Sequence, residues 1–205
     1  MNNLDMTEVK VIDNVLSPKY DEFLFNAYKK IPWFLQKDIY ARNIEDKVNI
    51  GNFVDENTVN TLQLSYTLYH FKTDKPTSNM YGPCSKAINE IAKKLNIYET
   101  KLQRIKFNLL FNNSKINSID KYNVPHVDDR EKKNFVIIYY CNDSDGDTII
   151  FNEKLGDKFI KLSIKKRISP KRNRAVFFNG VFFHTSTNPI KYGHRCVMNV
   201  NIDPI

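Results

Sequence analysis

The sequence predicts a mainly β protein with N-terminal helices, folded as a double-stranded β-helix, or jelly roll, of eight strands in two sheets. Two observations support this class. β-Prone segments separated by turns follow one another from about residue 104 to residue 202, whereas helical patterns occur only in the first 100 residues. The chain has 205 residues, 41% of them apolar, and no repeat, low-complexity tract or linker divides it. We therefore expect one domain over residues 1–205, with a helix-rich support over 1–100 and a β core over about 102–203.

The N-terminal half carries the signals for two helices and two strands. A helix predicted over Ser17–Lys30 begins with Ser as the N-cap and Pro in the first turn, and a second helix is predicted over Ser85–Leu95. A short β-branched strand, Val9–Val15, precedes the first helix. Thr61–Phe71 alternates apolar and polar residues, as a half-buried strand does. Both helices are expected to brace the larger sheet.

Six further strands are predicted in the C-terminal half, and the second of them is apolar throughout, as a central strand should be. They cover Arg104–Phe111, Phe135–Cys141, Thr148–Phe151, the basic stretch Lys158–Ile168, Val176–Thr185 and a last strand that begins at Arg195. Gly180 interrupts the fifth of these strands, and we expect a bulge or bend there.

The charge balance is basic, since 31 Lys and Arg side chains against 23 Asp and Glu give a formal net charge of +8. The densest basic cluster, Lys165–Arg174, has two interpretations: a solvated rim, or a surface for an acidic partner such as nucleic acid. The excess of Lys, Asn and Ile also fits AT-rich coding, so the charge supports a nucleic-acid partner only weakly.

The cysteines and the N-terminus indicate the compartment. Cys84, Cys141 and Cys196 are odd in number, far apart and free of any CxxC spacing, which favours a reducing compartment over a disulfide framework. The chain has neither a basic start followed by an apolar core nor a run of eighteen apolar residues. The sequence therefore predicts a cytoplasmic protein that does not enter a membrane.

Four side chains in the C-terminal half form a candidate metal and anion site. In an extended segment, His126 and Asp128 point to the same side, and His184 would come from a neighbouring strand. Two imidazoles and one carboxylate are the ligand set of non-haem Fe(II) oxygenases, which leaves coordination positions open. Arg195 follows His184 by eleven residues, a spacing that suits two antiparallel strands and places a guanidinium where it can clamp a carboxylate. The alternative is a solvated His-x-Asp loop together with a half-buried structural histidine.

These residues stand within a longer pattern that resembles a known family. The pattern comprises His126-x-Asp128, Ile138-Tyr139-Tyr140-Cys141-Asn142, Asp145-Gly146-Asp147-Thr148-x-x-Phe151, Pro170-Lys171-x-Asn173-Arg174-Ala175-Val176-Phe177-Phe178, His184 and Arg195. It resembles the 2-oxoglutarate- and Fe(II)-dependent oxygenases, and is most similar to their prolyl-4-hydroxylase-like branch, which has bacterial and viral members. The resemblance covers roughly Arg104–Ile202, about half of the chain, with the motifs in family order, while the N-terminal half matches loosely.

The resemblance implies a set of ligands and binding residues. Fe(II) would be held by His126, Asp128 and His184, which would also be the catalytic residues. The far carboxylate of the co-substrate 2-oxoglutarate would be bound by Arg195 and Tyr139, with Thr148 lining the pocket. Tyr139 and Tyr140 point to opposite faces, and Tyr139 is the choice that the family tyrosine suggests. Asn108 would contact 2-oxoglutarate or, alternatively, only a neighbouring loop. The other implied ligands are O2 and ascorbate.

The resemblance also implies an activity, with alternatives that the sequence leaves open. A C–H bond would be hydroxylated while 2-oxoglutarate is converted to succinate and CO2, and the substrate would be a prolyl residue in a peptide, free proline or another amino acid. A nucleic-acid dealkylase or base oxidase of the same superfamily and a non-catalytic metal-binding jelly roll remain as alternatives. The carboxylate of Asp128 argues against a halogenase, which needs that position free. The setting would be a bacterial or virus-infected host cell, and the sequence does not indicate an oligomeric state.

Overall fold

The computed structural model describes residues 7–36, 54–59, 61–97, 100–113, 120–128 and 134–204. Twelve strands and two helices lie in these ranges. The helices are α1 (Pro18–Ala27) and α2 (Tyr81–Lys94). The strands are β1 (Lys10–Asp13), β2 (Phe34–Gln36), β3 (Thr58–Val59), β4 (Gln63–His70), β5 (Thr100–Phe111), β6 (Tyr122–Asn123), β7 (Phe135–Tyr140), β8 (Thr148–Lys154), β9 (Ile164–Ile168), β10 (Arg174–Asn179), β11 (Phe182–Ser186) and β12 (His194–Pro204).

The strands form two layers, as predicted. Within the described ranges, a seven-stranded sheet has the order β1-β10-β7-β12-β5-β4-β2, and a three-stranded sheet has the order β11-β8-β9. A short parallel pair, β3-β6, lies beside the smaller sheet, and His126 pairs with His184 of β11 as an isolated bridge. The jelly-roll prediction is confirmed. The larger sheet has seven strands because β1, β2 and β4 from the N-terminal half join its edges, and of these three only β2 was not predicted.

The two helices cover one face of the larger sheet, also as predicted. Leu24 of α1 and Ile91 of α2 are buried in the same core as Phe107 and Ile137 of the sheet. Pro18 occupies the first turn of α1, but the hydroxyl of Ser17 donates to Glu90 of α2 (3.0 Å) instead of capping its own helix. This contact ties the two helices together under the sheet.

The other face of the larger sheet looks into the barrel and carries two kinds of side chain. Toward β10 and β7 it is apolar and packs on β8, β9 and β11. Toward β5 and β4 it is polar: Gln63 and Ser65 of β4 are only 5% and 6% exposed. The alternation in Thr61–Phe71 was predicted to separate a buried face from a solvated one. Instead, the polar row faces the interior, where it meets the candidate site.

The segment Val176–Thr185 is two strands and not one, which corrects the sequence prediction. β10 belongs to the larger sheet and β11 to the smaller, and the chain crosses between them at Gly180. The Gly180 amide donates to the carbonyl of Asn134 (2.7 Å), and a Cβ at Gly180 would overlap the Asn134 side chain. Glycine is therefore required at this position, because Asn134 approaches its Cα closely. The crossing places His184 opposite the face that carries Arg195.

Two boundaries also differ from the prediction. The basic stretch Lys158–Ile168 is a strand only over β9, and α2 begins four residues earlier than predicted, at Tyr81. Among the described residues, no helix combines the length and apolar character that a membrane span requires. The prediction of one domain over residues 1–205 stays a prediction.

Candidate active site

His126 and His184 are held side by side by a pair of backbone hydrogen bonds. The His126 amide donates to the His184 carbonyl (3.0 Å), the His184 amide donates to the His126 carbonyl (2.9 Å), and the ring centroids lie 4.6 Å apart. In both residues Nδ1 lies 3.1 Å from a backbone carbonyl oxygen, that of Val124 for His126 and that of Phe182 for His184. A carbonyl only accepts, so both rings carry a proton on Nδ1, and Nε2 is the atom that can bind a metal in the neutral ring.

Asp128 completes the cluster. Its Oδ1 lies 3.7 Å from Nε2 of His126 and its Oδ2 lies 3.9 Å from Nε2 of His184. Ligand atoms of the three residues lie within 4.8 Å of one another, and these are the His-Asp-His residues predicted from the sequence. These distances are somewhat longer than those between ligand atoms that each lie about 2.1 Å from a shared metal ion. Small side-chain movements would therefore bring the three ligands onto one ion.

Three donors from the larger sheet hold the Asp128 carboxylate. Arg104 of β5 approaches Oδ1 (3.0 Å), and the side-chain amides of Asn199 and Asn201 of β12 donate to Oδ2 (3.3 and 2.9 Å). Burial by itself would raise the pKa of Asp128. Arg104 and the two imidazoles outweigh that effect and hold this pKa well below its usual value. The carboxylate is therefore anionic and oriented, as a metal ligand must be.

His126 is in the neutral form that binds a metal. Burial and, to a smaller extent, the neighbouring His184 lower the pKa of His126 to about 3, against the opposing effect of Asp128. The Nε2 atom of His184 is buried and has no hydrogen-bond partner in the described part of the chain. A buried lone pair without a donor is unfavourable, and a cation at this point would satisfy it. The donor set thus fits a divalent transition metal.

Arg195 is a buried guanidinium in the same pocket as the two histidines. It is 3% exposed, its Nη2 donates to the Thr148 hydroxyl (2.7 Å), and its Nε has no partner among the described residues. No carboxylate in the described ranges lies within ion-pair distance of it. Burial lowers the pKa of Arg195, although Tyr140 opposes that shift. A buried guanidinium in this setting is suited to binding an anion, because an unpaired buried charge is unfavourable.

The choice of Tyr139 as a pocket residue is wrong. Its hydroxyl donates to Asp21 of α1 (2.7 Å), on the helix-covered face of the larger sheet. Tyr140 lies on the pocket face instead: its hydroxyl donates to Thr148 (2.7 Å), and the Arg195 guanidinium stands 5.6 Å from its ring centroid. Because every side chain of β7 is buried, no polar alternation in the sequence indicates which tyrosine faces which layer.

Asn108 and Thr148 both line the pocket, as their predicted roles require. Asn108 also accepts a hydrogen bond from the Gln63 side chain of β4 (3.1 Å), so its neighbour is a strand and not a loop. Their contacts with 2-oxoglutarate stay predictions. Three partners of Asp128 were not predicted, although the polar alternation along β5 and β12 is visible in the sequence: Arg104, Asn199 and Asn201.

The basic cluster Lys165–Arg174 is largely used within the fold. Arg167 pairs with Asp147 (2.6 Å), Arg174 and Lys171 with Asp13 (2.6 and 3.2 Å), and Arg172 with Asp21 and Glu22 (2.9 and 2.7 Å). Lys166 donates to the Val9 carbonyl (3.0 Å). The cluster therefore ties the C-terminal half to β1 and α1, and it gives little support to a nucleic-acid partner.

The chain was compared with protein-family models, curated proteins and solved structures. No protein-family model matches the chain, and no curated protein matches it by sequence. Solved structures do match. An oxidoreductase of the 2OG-Fe(II) oxygenase family from Burkholderia pseudomallei has a TM-score of 0.62 at 8% identity, over 95% of this chain and 84% of that chain.

Two prolyl hydroxylases also match. The enzyme from Trichoplax adhaerens, in complex with a hypoxia inducible factor oxygen degradation domain peptide fragment, has a TM-score of 0.58 at 14% identity, over 98% of this chain and 86% of that chain. A prolyl-4-hydroxylase from Pseudomonas putida has a TM-score of 0.52 at 13% identity, over 100% and 96% of the two chains. The matches also include an epimerase and a carbocyclase of nogalamycin biosynthesis, so the shared fold serves several reactions.

The resemblance seen in the sequence is confirmed: the chain has the fold of the 2-oxoglutarate- and Fe(II)-dependent oxygenases and carries a His-Asp-His cluster inside it.

Proposed function

We propose that the protein is a 2-oxoglutarate- and Fe(II)-dependent dioxygenase. One observation carries this proposal: the two histidines of the His-Asp-His cluster and the buried Arg195 line one pocket. A metal site alone would fit many proteins, and a buried arginine alone would fit any anion. A three-ligand metal site next to a guanidinium that has no carboxylate partner in the described part of the chain is what a metal-chelating dicarboxylate requires.

The three ligands would hold iron in an anionic and preorganised site. Imidazole suits iron, zinc and copper, and the added carboxylate favours a hard divalent ion with open positions. The two Nδ1–H groups are fixed on backbone carbonyls, which sets the direction of both Nε2 lone pairs. Arg104, Asn199 and Asn201 do the same for Asp128.

Arg195 would bind the far carboxylate of 2-oxoglutarate. Its guanidinium is held by the Thr148 hydroxyl, which also accepts a hydrogen bond from Tyr140. This arrangement fixes the guanidinium before the ligand enters, so little side-chain entropy remains to be lost on binding. Tyr140 takes the place that the sequence analysis assigned to Tyr139.

When bound, Fe(II) and 2-oxoglutarate together supply the activation of O2, with release of succinate and CO2 and insertion of one oxygen atom into a substrate C–H bond. The chain itself contributes positioning and exclusion of water. Ile138 and Val197 line the pocket, and the Phe178 ring packs edge-to-face with His184 at a centroid distance of 5.0 Å. This apolar wall strengthens the electrostatic interactions of the ligands.

The proposed reaction is hydroxylation of a prolyl ring, in a peptide or in free proline, or of another amino acid. The motif resemblance to the prolyl-4-hydroxylase-like branch and the two prolyl hydroxylases among the structural matches support this choice. The ascorbate requirement implied by that branch belongs to the same proposal. The nucleic-acid alternative lacks a comparable observation, since the basic cluster is engaged in internal ion pairs.

The test is turnover with a panel of proline peptides, free amino acids and alkylated oligonucleotides. Succinate should form in the presence of Fe(II), O2 and 2-oxoglutarate, should increase with a proline-containing member of the panel, and should cease in His126→Ala. Succinate formation that persists in His126→Ala would contradict the assignment of the metal site. Stimulation by an alkylated oligonucleotide alone would contradict the prolyl assignment while leaving the dioxygenase assignment intact.

A further inference from the structure

We propose that the substrate carries an N–H group close to the carbon that is oxidised, and that the side-chain oxygen of Asn199 accepts a hydrogen bond from it; this inference rests on the function proposed above. Asn199 lies on β12 and lines the same pocket as His126, His184 and Arg195. Its side chain is 7% exposed, and its Oδ1 is buried without a hydrogen-bond partner in the described part of the chain. A buried acceptor without a donor is unfavourable, so a molecule that supplies the donor gains affinity.

The orientation of the Asn199 amide follows from its contact with Asp128. Nδ2 of Asn199 donates to Oδ2 of Asp128 (3.3 Å), and this carboxylate is anionic and only accepts. An amide turned the other way would set two acceptors against each other, so the nitrogen faces Asp128 and Oδ1 faces away from it. The same Oδ2 lies 3.9 Å from Nε2 of His184. Asn199 therefore adjoins the place to which a C–H bond must come to be oxidised.

The residues in register with Asn199 do not supply a donor to its oxygen. Ile138 of β7 has an apolar side chain, and Lys106 of β5 makes no hydrogen bond to Oδ1. Asn201, two residues further along β12, also turns its amide nitrogen to Asp128 (2.9 Å) and also has a buried Oδ1 without a partner among the described residues. It is not one of the described residues that line the pocket. Asn199 is therefore the member of this pair that a substrate can reach.

The co-substrates cannot donate a hydrogen bond to Asn199 either. At neutral pH 2-oxoglutarate is a dianion whose carboxylate and keto oxygens only accept hydrogen bonds, and O2 has no hydrogen atom. The products succinate and CO2 lack a donor for the same reasons. Solvent and the substrate are the remaining sources of a donor. A substrate that displaces solvent from Asn199 must bring its own donor, or it leaves the oxygen buried and unpaired.

This requirement narrows the substrate class. Free proline carries N–H groups on its ring nitrogen, whereas a prolyl residue inside a peptide has none, and its nearest donor is the amide of the following residue. Both sources share the chemistry of an N–H group close to the ring. Because a site built to accept a hydrogen bond rejects an analogue that lacks the donor, we expect a preference of roughly five- to one-hundred-fold for the N–H member of a matched pair.

The experiment compares two matched pairs of compounds for binding and for turnover. The first pair is L-proline and N,N-dimethyl-L-proline, and the second is the methylamide and the dimethylamide of N-acetyl-L-proline. Calorimetry without O2 follows their binding to the full chain loaded with Mn(II) and 2-oxoglutarate, and aerobic assays with Fe(II) give kcat/KM. The variants are Asn199→Ala, Asn199→Leu, which keeps the side-chain volume, and Asn201→Ala. The last is the matched control, since it removes the same kind of contact with Asp128 but no acceptor that lines the pocket.

The expected result is a preference for the N–H member of one pair that is lost in both Asn199 variants and kept in Asn201→Ala. Which pair shows the preference identifies the source of the N–H group. The inference is overturned if none of the compounds binds, or if the wild type treats the members of each pair alike, because solvent would then satisfy Asn199. It is also overturned if the Asn199 variants keep the preference, which would then be steric, or if Asn201→Ala loses it equally, since holding Asp128 would then suffice. In each of these cases, retained 2-oxoglutarate binding by the wild type would leave the proposed dioxygenase function standing.

Discussion

Replacing Arg195 by Met should move two measured quantities in opposite directions. The guanidinium is 3% exposed and, in the described ranges, its only side-chain partners are neutral: the Thr148 hydroxyl and the Tyr140 ring. Losing one partner of a buried charge pair costs about 2–5 kcal/mol, so 2-oxoglutarate should bind about thirty-fold to several-thousand-fold more weakly. Without ligand, the same substitution removes a buried charge that forms no ion pair within the described ranges and is attracted by Asp147 only at longer range. It should stabilise the protein by about 1–3 kcal/mol.

Calorimetry with Mn(II)-loaded protein measures the first effect, and thermal unfolding of metal-free protein measures the second, at roughly 2–4 °C per kcal/mol for a domain of this size. Mn(II) affinity should change little, since Arg195 does not touch the metal ligands. Arg167→Met is the matched control: Arg167 is paired with Asp147 (2.6 Å), so its loss should lower stability slightly and leave 2-oxoglutarate binding unchanged. Lower stability of metal-free Arg195→Met together with unchanged 2-oxoglutarate affinity would show that Arg195 is structural, and it would refute the clamp.

Three further substitutions test other parts of the account. Tyr140→Phe should weaken 2-oxoglutarate binding about two- to ten-fold in calorimetry. Tyr139→Phe should leave that binding unchanged and lower the free energy of unfolding by about 1–2 kcal/mol, because the hydrogen bond to Asp21 is lost. Weaker 2-oxoglutarate binding in Tyr139→Phe and unchanged binding in Tyr140→Phe would support Tyr139 as the pocket residue. Lys106→Met should stabilise metal-free protein below pH 8. Because the folded pKa of about 8 lies below the unfolded value, the penalty of burying the ammonium is full below pH 8 and disappears as pH rises toward 10.5, and so should the advantage of the variant in denaturant titrations. A gain independent of pH would contradict this. Gly180→Ala should lower the free energy of unfolding by about 1–3 kcal/mol, since its Cβ would overlap Asn134; an unchanged unfolding midpoint would show that the crossing between the sheets is more adaptable than its geometry indicates.

The metal ligands were predictable from the sequence because their positions depend on local rules. His126 and Asp128 are separated by one residue and therefore share a face of an extended segment. His184 stands at the end of a β-prone run, and Arg195 opens the next strand. These relations need only the strand period and the chain order. The antiparallel pairing predicted for these two strands is wrong, because β11 lies in the smaller sheet and β12 in the larger, and the two side chains meet across the barrel.

The choice between Tyr139 and Tyr140 could not be made in the same way. The side chains of β7 are buried on both faces, so the sequence carries no polar row that marks the interior. Only the position of α1, whose Asp21 accepts the Tyr139 hydroxyl, decides which face is which. That information lies in the packing of distant segments.

The partners of Asp128 were missed for a different reason. Arg104, Lys106 and Asn108 alternate with Ile105 and Phe107, so a polar face was visible in the sequence. A polar row on a strand is usually solvated, and that expectation was also applied to β4. Here both rows face the barrel, because the smaller sheet has only three strands in the described ranges and leaves the β5 and β4 side to the pocket.

The most direct test of the central claim is an anaerobic titration of the protein with Fe(II) and 2-oxoglutarate, followed by visible absorption. The account predicts a weak charge-transfer band that appears only when both are present and saturates at one iron per chain. The band should be absent in His184→Ala and should require more 2-oxoglutarate in Arg195→Met. A band that persists in His184→Ala, or none in the wild-type protein, would contradict the assignment of this pocket as an iron and 2-oxoglutarate site.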